Sequence, residues 1–465
     1  MGISRELALL VLAAGRGTRM RSRLPKVLHP VCGRPLLLHP LALGDALGVQ
    51  RRIVVVSPGQ DEVQERVAGH GVEIVEQAEP LGTGHAVLQA RPLLNDHPGS
   101  VLILYGDHPL YRARTLEALL EVHASRKADL TLLTGQLPDP SGYGRIVRGS
   151  DGRIDRIVED ADAPEEIRAL HEVNLGVYVA APGFVFATLE GLERSNAQGE
   201  LYLTDLVELA LRAGRRVETH GIGDWTEAIG VNDRVDLARA ESVLRRRIAE
   251  RWMLAGVSFV DPERTYVDVD VEIGPDSVIE PGVRLRGQTR IGAACRIDAG
   301  VVVDGCRIGD GVWIKPHCWL EGSRVAAGCV LGPSAHLRPG SELAEGVRIG
   351  NFVEVKNSKL GTGTKADHLS YIGDADIGER VTFACGAITV NYDGRRKSRT
   401  VVGDGCFVGC NSNLIAPVTL AADSYVAAGS TITREVPSEA LAVGRARQRN
   451  IDGWRRRFFA KSDEG

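Results

Sequence analysis

The apolar positions change their period part-way along the chain. Up to about residue 230, short unbroken apolar runs alternate with stretches of helical spacing. Leu7–Leu12, Ile53–Ser57 and Val101–Tyr105 read as strands buried on both faces, the pattern of parallel sheets, and Thr115 to Ala124 reads as a helix. This predicts α/β organisation. From Asn232 to about Leu254, Leu237, Ala240, Leu244 and Ile248 share one helical face and Arg245-Arg246-Arg247 lie largely on the other. A joining helix follows, with the arginine run as its solvated face.

After about residue 265 the period becomes six. Ile273-Gly274-Pro275-Asp276-Ser277-Val278 and Ile291-Gly292-Ala293-Ala294-Cys295-Arg296 open a series that recurs through Ile308, Leu337, Ile349 and Val402. An aliphatic residue every sixth position turns inward and the small residue after it allows a corner, so eighteen residues make one coil of a three-sided parallel β-helix. The series resembles the left-handed hexapeptide β-helix. Three interruptions are expected, around 314 to 336, at Lys359 to Ile372, and at Asn391 to Lys397, and such insertions become loops where function gathers. The predicted organisation is therefore a domain over 1–231 with a Rossmann-like mixed sheet, a linker helix over 232–255, and a β-helix with a C-terminal tail over 256–465.

Composition agrees with this division. The repeat accounts for 54 glycines and for an aromatic content of 5% together. Acidic and basic residues nearly balance, 60 against 56, which leaves no basic footprint for nucleic acid. No apolar run reaches membrane length and the N-terminus lacks a secretory cleavage pattern. The eight cysteines form no Cys-x-x-Cys pair and the histidines do not accompany them at zinc-ligand spacing. A cytoplasmic enzyme with free, mostly buried thiols is expected.

The chemistry begins where the first run ends. Gly15-Arg16-Gly17-Thr18-Arg19 is an electropositive turn whose amides can face phosphate oxygens, with Lys26 close behind it. It satisfies neither the P-loop nor the dinucleotide fingerprint, so a nucleoside triphosphate turn of another design is indicated. Tyr105-Gly106-Asp107 brings a carboxylate to the C-terminal edge of a strand, where open α/β sheets bind ligands and where it can hold Mg²⁺. Asn232 offers a second oxygen, although by residue type it is first of all a helix N-cap. Gln77 and Leu81-Gly82-Thr83-Gly84 suit a base edge. Gly142-Tyr143-Gly144-Arg145 with Glu159 and Asn174 suits sugar hydroxyls, although Glu159 beside Asp160 also reads as a solvated carboxylate. In the second half, Ala366-Asp367-His368-Leu369-Ser370-Tyr371 interrupts the hexads and sets a histidine near a tyrosine. His368 can take the proton from an ammonium substrate.

In order, these first-half motifs resemble the sugar-1-phosphate nucleotidyltransferases. With the β-helix attached, the chain resembles the bacterial bifunctional UDP-N-acetylglucosamine pyrophosphorylase/glucosamine-1-phosphate N-acetyltransferases from about residue 7 to 457. That resemblance implies a two-step synthesis of UDP-N-acetylglucosamine from glucosamine-1-phosphate, acetyl-CoA and UTP, with pyrophosphate released. It implies Arg19 and Lys26 as phosphate-neutralising catalytic groups, and Asp107 and Asn232 as ligands of Mg²⁺. Leu12, Gly15, Gln77, Gly82, Thr83, Tyr105, Gly106, Gly144, Glu159 and Asn174 would complete the nucleotide-sugar site. Arg16 stands where relatives often carry Lys. In the second half it implies His368 as base and Arg338 and Lys356 on the sugar phosphate. Tyr371 and Asn391 would position the amino sugar, Ala428 and Arg445 would lie along the CoA path, and Thr382, Cys385, Tyr392 and Cys410 would complete this glucosamine-phosphate and acetyl-CoA site. A homotrimer in which neighbouring β-helices share each site is implied as well. Thr382 and Cys410 depart from the usual Asn and Ser. A nucleotidyltransferase with a regulatory β-helix, or a scaffold built from both folds, are the alternatives. The phosphate cations, Asp107 and His368 argue against them.

Overall fold

The computed structural model describes residues 6–15, 17–191 and 199–459, so Arg16 lies outside the described residues. The chain divides into two units, Met1–Arg247 and Ile248–Gly465, and the division falls within the helix Arg234–Leu254.

In the first unit the main sheet runs Val217–Gly221, Leu130–Gln136, Glu172–Ala180, Ser100–Tyr105, Leu7–Leu12, Arg51–Val56, Val72–Glu76. Neighbours are parallel except around Glu172–Ala180, which is antiparallel to both of its own, so the sheet is mixed. Leu7–Leu12 is buried throughout because both faces are covered. Leu9 and Val11 enter one core with Leu102 and Val54, and Ala8 and Leu10 enter the other with Ile103 and Ile53. Each such leucine contributes roughly 1.5–3 kcal/mol by leaving water. Three parallel strands, Leu7–Leu12, Val72–Glu76 and Ser100–Tyr105, release their chains at the same sheet edge, which places the glycine turn, Gln77 and Asp107 there together.

The joining helix corrects two expectations. Asp233, not Asn232, caps it: Asp233 Oδ1 accepts from Val235 N at 2.8 Å and Asp236 N at 3.0 Å. The arginine run is not simply a solvated face either. Arg247 is half-buried and donates to Leu110 O at 2.6 Å, Thr226 Oγ1 at 2.7 Å and Asp224 Oδ2 at 3.2 Å. These acceptors come from segments that the helical period of residues 232–254 does not reveal.

Among the described residues, the second unit stacks its short strands into three parallel sheets of eleven, ten and nine strands. This is the left-handed hexapeptide β-helix. Inward aliphatics such as Ile279, Ile297, Ile314, Leu331 and Ile349 line the interior. Two residues before each such aliphatic, a second and mostly small side chain also turns in, and where it carries a hydroxyl it bonds backbone oxygen, as Ser341 Oγ does to Val355 O at 3.0 Å. Such a narrow interior has no room for many aromatics. Two of the expected interruptions are absent. Trp319–Glu321 pairs with His336–Leu337, Lys359–Leu360 with Glu342–Leu343, and Lys365–His368 with Arg348–Asn351. Some coils are eighteen residues, as Val278↔Arg296 shows, but others are seventeen, as in Trp313↔Val330 and Lys365↔Thr382. A coil shortened by one corner residue shifts the sequence period without breaking the ladder. The loop at 391–397 is a true insertion, enclosed by the register pair Thr382↔Phe407. Among the described residues no helix is long and apolar enough to cross a membrane.

Two candidate active sites

The first site is assembled around Asp107. Gly106 N donates to Leu12 O at 2.9 Å, which stitches Tyr105-Gly106-Asp107 to the end of the first strand, and Val231 N donates to Asp107 O at 2.9 Å, which brings Asn232 alongside. Lys26 Nζ donates to Asp107 Oδ2. Arg19 Nη2 donates to Asn232 Oδ1 at 2.9 Å. Burial opposes charge on Asp107, but Lys26 and His108 beside it together hold the carboxyl below its usual range. Gly17 has φ 60°, and a Cβ there would stand 2.5 Å from Lys26 Cβ, so the turn tolerates only glycine so close to the lysine. Around Gly15 the space where a Cβ would go is open.

Gln77 is buried, with Nε2 donating to Gly82 O at 3.0 Å. Gly82 has φ 104°, and a Cβ there would meet Leu201 O at 2.6 Å, while Thr83 Oγ1 accepts from Leu203 N at 3.0 Å. The base-edge turn is thus pinned by the 201–203 segment. Asn174 N donates to Gly144 O at 2.8 Å, and its side-chain amide donates to Tyr178 Oη at 2.7 Å. Glu159 is half-buried rather than solvated, accepting from Thr204 Oγ1 at 2.8 Å. Burial, with Asp205, Asp162 and Asp160 nearby, raises its carboxyl. Tyr105 is pushed up by burial and by Glu159, and Thr83 partly offsets this.

The second site uses one corner and the adjoining face of the β-helix. Asn351 and His368 pair in register, and His368 Nδ1 faces Asn351 Oδ1 at 2.8 Å. An amide oxygen only accepts, so Nδ1 carries the proton and Nε2 is the basic nitrogen. The ring is exposed. Further coils continue the column: the pairs Ala366↔Phe383, Phe383↔Val408 and Val408↔Val426 put His368, Cys385, Cys410 and Ala428 at one corner on successive rungs. Thr382 lies on the strand leading into that corner, and Arg445 Cδ lies 3.9 Å from where a Cβ on Gly429 would stand.

On the adjoining face, Leu337↔Val355 sets Arg338 beside Lys356. Arg338 Nη1 donates to Glu354 Oε1 at 2.9 Å. Lys356 Nζ lies 3.8 Å from Asp374 Oδ2, which also accepts from Asn391 Nδ2, while Asn357 Nδ2 donates to Asp374 Oδ1 at 2.6 Å. Asn391 Nδ2 is 3.4 Å from Tyr371 Oη. Tyr392 stands apart, exposed, with Oη donating to Gly394 O of its own loop. Burial opposes charge on Asp374, yet Asn357, Asn391, Lys356 and Lys397 together hold its carboxyl below the usual range. Asp374 belongs to no motif in the sequence, although Asn357, Asp374 and Asn391 recur at intervals of seventeen. Glu354 and Thr204 carry no sequence signal of their own for these contacts.

The nucleotidyl transferase family model matches residues 8–231, the GMPPB C-terminal domain model matches 262–360, and the bacterial transferase hexapeptide model matches 399–434. Bifunctional protein GlmU of Syntrophotalea carbinolica is 50% identical over 456 residues, covering 98% of each chain. That of Exiguobacterium sp. is 48% identical over 452 residues, 97% of this chain and 100% of the relative. That of Listeria monocytogenes is 46% identical, covering 96% of this chain and 97% of its own. The chain belongs to the bifunctional GlmU family. It is an enzyme with two transferase activities.

Nucleotidyltransfer in the GlmU family uses a divalent metal ion. The residues here fit one. Asp107 and Asn232 present a carboxylate and an amide oxygen at one backbone junction, the hard donors such an ion takes, and each already receives a cationic side chain. Among the described residues no group of three or more His, Cys, Asp or Glu is placed to hold a metal, so phosphate and water would supply the other ligands. When bound, the ion neutralises charge across phosphate oxygens.

Proposed function

We propose that the chain acetylates glucosamine-1-phosphate with acetyl-CoA and then transfers UMP from UTP to N-acetylglucosamine-1-phosphate, giving UDP-N-acetylglucosamine and pyrophosphate. The observation that carries this reading is the double ion-and-amide lock at the sheet edge, Lys26 on Asp107 and Arg19 on Asn232, in a chain aligned with GlmU relatives over nearly its whole length. Both cations are held where phosphate oxygens would displace the carboxylate and amide as their partners.

For uridylyl transfer, assigned to 1–231, Lys26 and Arg19 stabilise charge on the triphosphate as the sugar phosphate oxygen attacks the α-phosphorus. Gln77, Gly82 and Thr83 read the uracil edge. Gly144, Glu159 and Asn174 orient the sugar, and Leu12, Gly15, Tyr105 and Gly106 shape the floor. Mg²⁺ is the ion assigned to Asp107 and Asn232. For acetyl transfer, assigned to 256–465 beyond the linker helix 232–255, Arg338 and Lys356 hold the sugar phosphate. His368 Nε2 takes the amine proton so that the free pair attacks the thioester carbonyl. Tyr371, Thr382 and Asn391 position the amino sugar, while Tyr392 stays on its own exposed loop. Cys385, Cys410, Ala428 and Arg445 line the acyl-donor path. The exposed His368 is completed by a neighbouring β-helix in a homotrimer, and exposed Phe352 and Leu369 beside it support an apolar contact there. We assign the enzyme to the cytoplasm.

The test supplies glucosamine-1-phosphate, acetyl-CoA, UTP and Mg²⁺ together. Native protein yields UDP-N-acetylglucosamine. His368→Ala yields it only when N-acetylglucosamine-1-phosphate is added, and a mutant that still acetylates would remove the base assignment.

A further inference from the structure

The thiols of the β-helix fall into two classes by position in the coil. Cys295, Cys306, Cys318, Cys329 and Cys406 occupy the small inward position and are buried. Burial pushes the Cys306, Cys318 and Cys329 thiols up to about 11, where thiolate is scarce. Cys385 and Cys410 stand instead on the outside of one corner, the first half-buried and the second exposed. Although the 391–397 loop separates them in sequence, Phe383 pairs with Val408, Ala384 N donates to Val408 O at 2.9 Å, and Asn411 N donates to Cys385 O at 2.8 Å. The two cysteines are therefore register neighbours on adjacent rungs. Each precedes a residue of positive φ, Gly386 at 80° and Asn411 at 54°, so the two corners turn alike. Rungs stand ~4.8 Å apart, inside the ~4.4–6.8 Å between Cα atoms that a disulfide spans.

We propose that Cys385 and Cys410 are a reversible thiol–disulfide pair through which a small-molecule disulfide switches the β-helix chemistry off. The exposed Cys410 thiolate attacks one sulfur of the disulfide RSSR, forming Cys410–S–S–R and expelling RS⁻. The Cys385 thiolate then attacks Cys410 Sγ, forming the Cys385–Cys410 bond and expelling the second RS⁻. The two cysteines are oxidised, RSSR is reduced to two RSH, and the two protein protons end on the two leaving thiolates. His368 lies one rung before Cys385 and Ala428 one rung after Cys410, so the bond closes across the middle of that column. The link rests on the register alone, whereas its effect on acyl transfer rests on the function proposed above.

Reduced full-length protein is treated with oxidised glutathione, quenched in acid and mapped by peptide mass spectrometry without reduction, while both activities are assayed. The expected result is a dominant Cys385–Cys410 cross-link, acetyl transfer reduced to below about a tenth and restored by dithiothreitol, and unchanged pyrophosphate release. Cys385→Ser should trap glutathione on Cys410 and form no internal link. Absence of that cross-link under conditions that glutathionylate Cys410, or a dominant link to another cysteine, overturns the pair. A cross-link that leaves acetyl transfer intact overturns the switch, and with it the assignment of this corner to the acyl donor.

Discussion

The two sites hold their charges in opposite ways. At the sheet edge, the groups that would meet a triphosphate are already engaged with one another, Lys26 with Asp107 under partial burial and Arg19 with Asn232 at the exposed rim. On the β-helix, His368 and Cys410 stand in the open, and the order lies one step back, in Asp374 and Glu354, which fix Lys356, Asn391 and Arg338. Phosphorus transfer needs cations preorganised against a growing charge, and mutual pairing keeps them in place. Amine acylation needs a base that a bulky donor can reach, so exposure is the useful state. The molecule thus separates a closed electrostatic site from an open edge.

Two substitutions should break that separation cleanly. Asp107→Ala is expected to lower pyrophosphate release by ~10³-fold, because it removes both the proposed metal ligand and the anchor of Lys26. CoA release should not change. His368→Ala is expected to lower CoA release by ~10²-fold with pyrophosphate release from N-acetylglucosamine-1-phosphate unaffected. Coupled loss of both activities in either protein would mean that the sites are not independent.

Stability sharpens the same contrast. Lys26→Met leaves the Asp107 carboxylate in a half-buried place without its cation, which is among the costlier changes, and Tm of the first unit is expected to fall by roughly 5 °C in calorimetry. Arg338→Met breaks an exposed pair with Glu354 and should leave the transition of the second unit where it was.

How far the sequence could be read follows the same line. The change of period at about residue 265 announced both folds because burial on two faces and inward corners each impose a strict spacing. Lys26 and Asp107 were legible because glycine and apolar runs frame them. By residue type Asn232 and Asp233 cap equally well, and only the backbone, which gives the cap to Asp233, decides between adjacent residues. Coils of seventeen residues disguised continuous ladder as interruption and hid the Asn357, Asp374, Asn391 column. The partners of Arg247 lie in other segments, which no local pattern reports.

Asp374 allows the open edge to be tested without touching an exposed group. Asp374→Asn keeps the shape but removes the charge that faces Lys356 and one acceptor from Asn391. The loss of one charge-assisted contact should raise KM for glucosamine-1-phosphate by ~10-fold with a smaller change in kcat. A fall in kcat alone would place Asp374 on the chemistry rather than on substrate position.

The smallest effects are in pH dependence, where the two units should move oppositely. In the first, burial together with Glu208 and Asp162 raises the Asp205 carboxyl to about 6. The unfolded group titrates near about 3.9, so the native state binds this proton more tightly. Ionising Asp205 therefore costs stability increasingly from about pH 4 to 6 and fully above, while below about 4 both states are protonated and the cost is gone. Asp205→Asn should raise Tm by ~2 °C at pH 7.5 and leave it unchanged at pH 4, measured by calorimetry. In the second unit Asp374 is depressed, so its contribution is complete above the unfolded value and is lost only as pH falls through the lower native one. Asp374→Asn should accordingly lower stability at neutral pH and converge with the native protein under strong acid. Equal pH responses from the two variants would mean that the carboxylates share one kind of environment, and the contrast between closed site and open edge would not extend to their supporting charges.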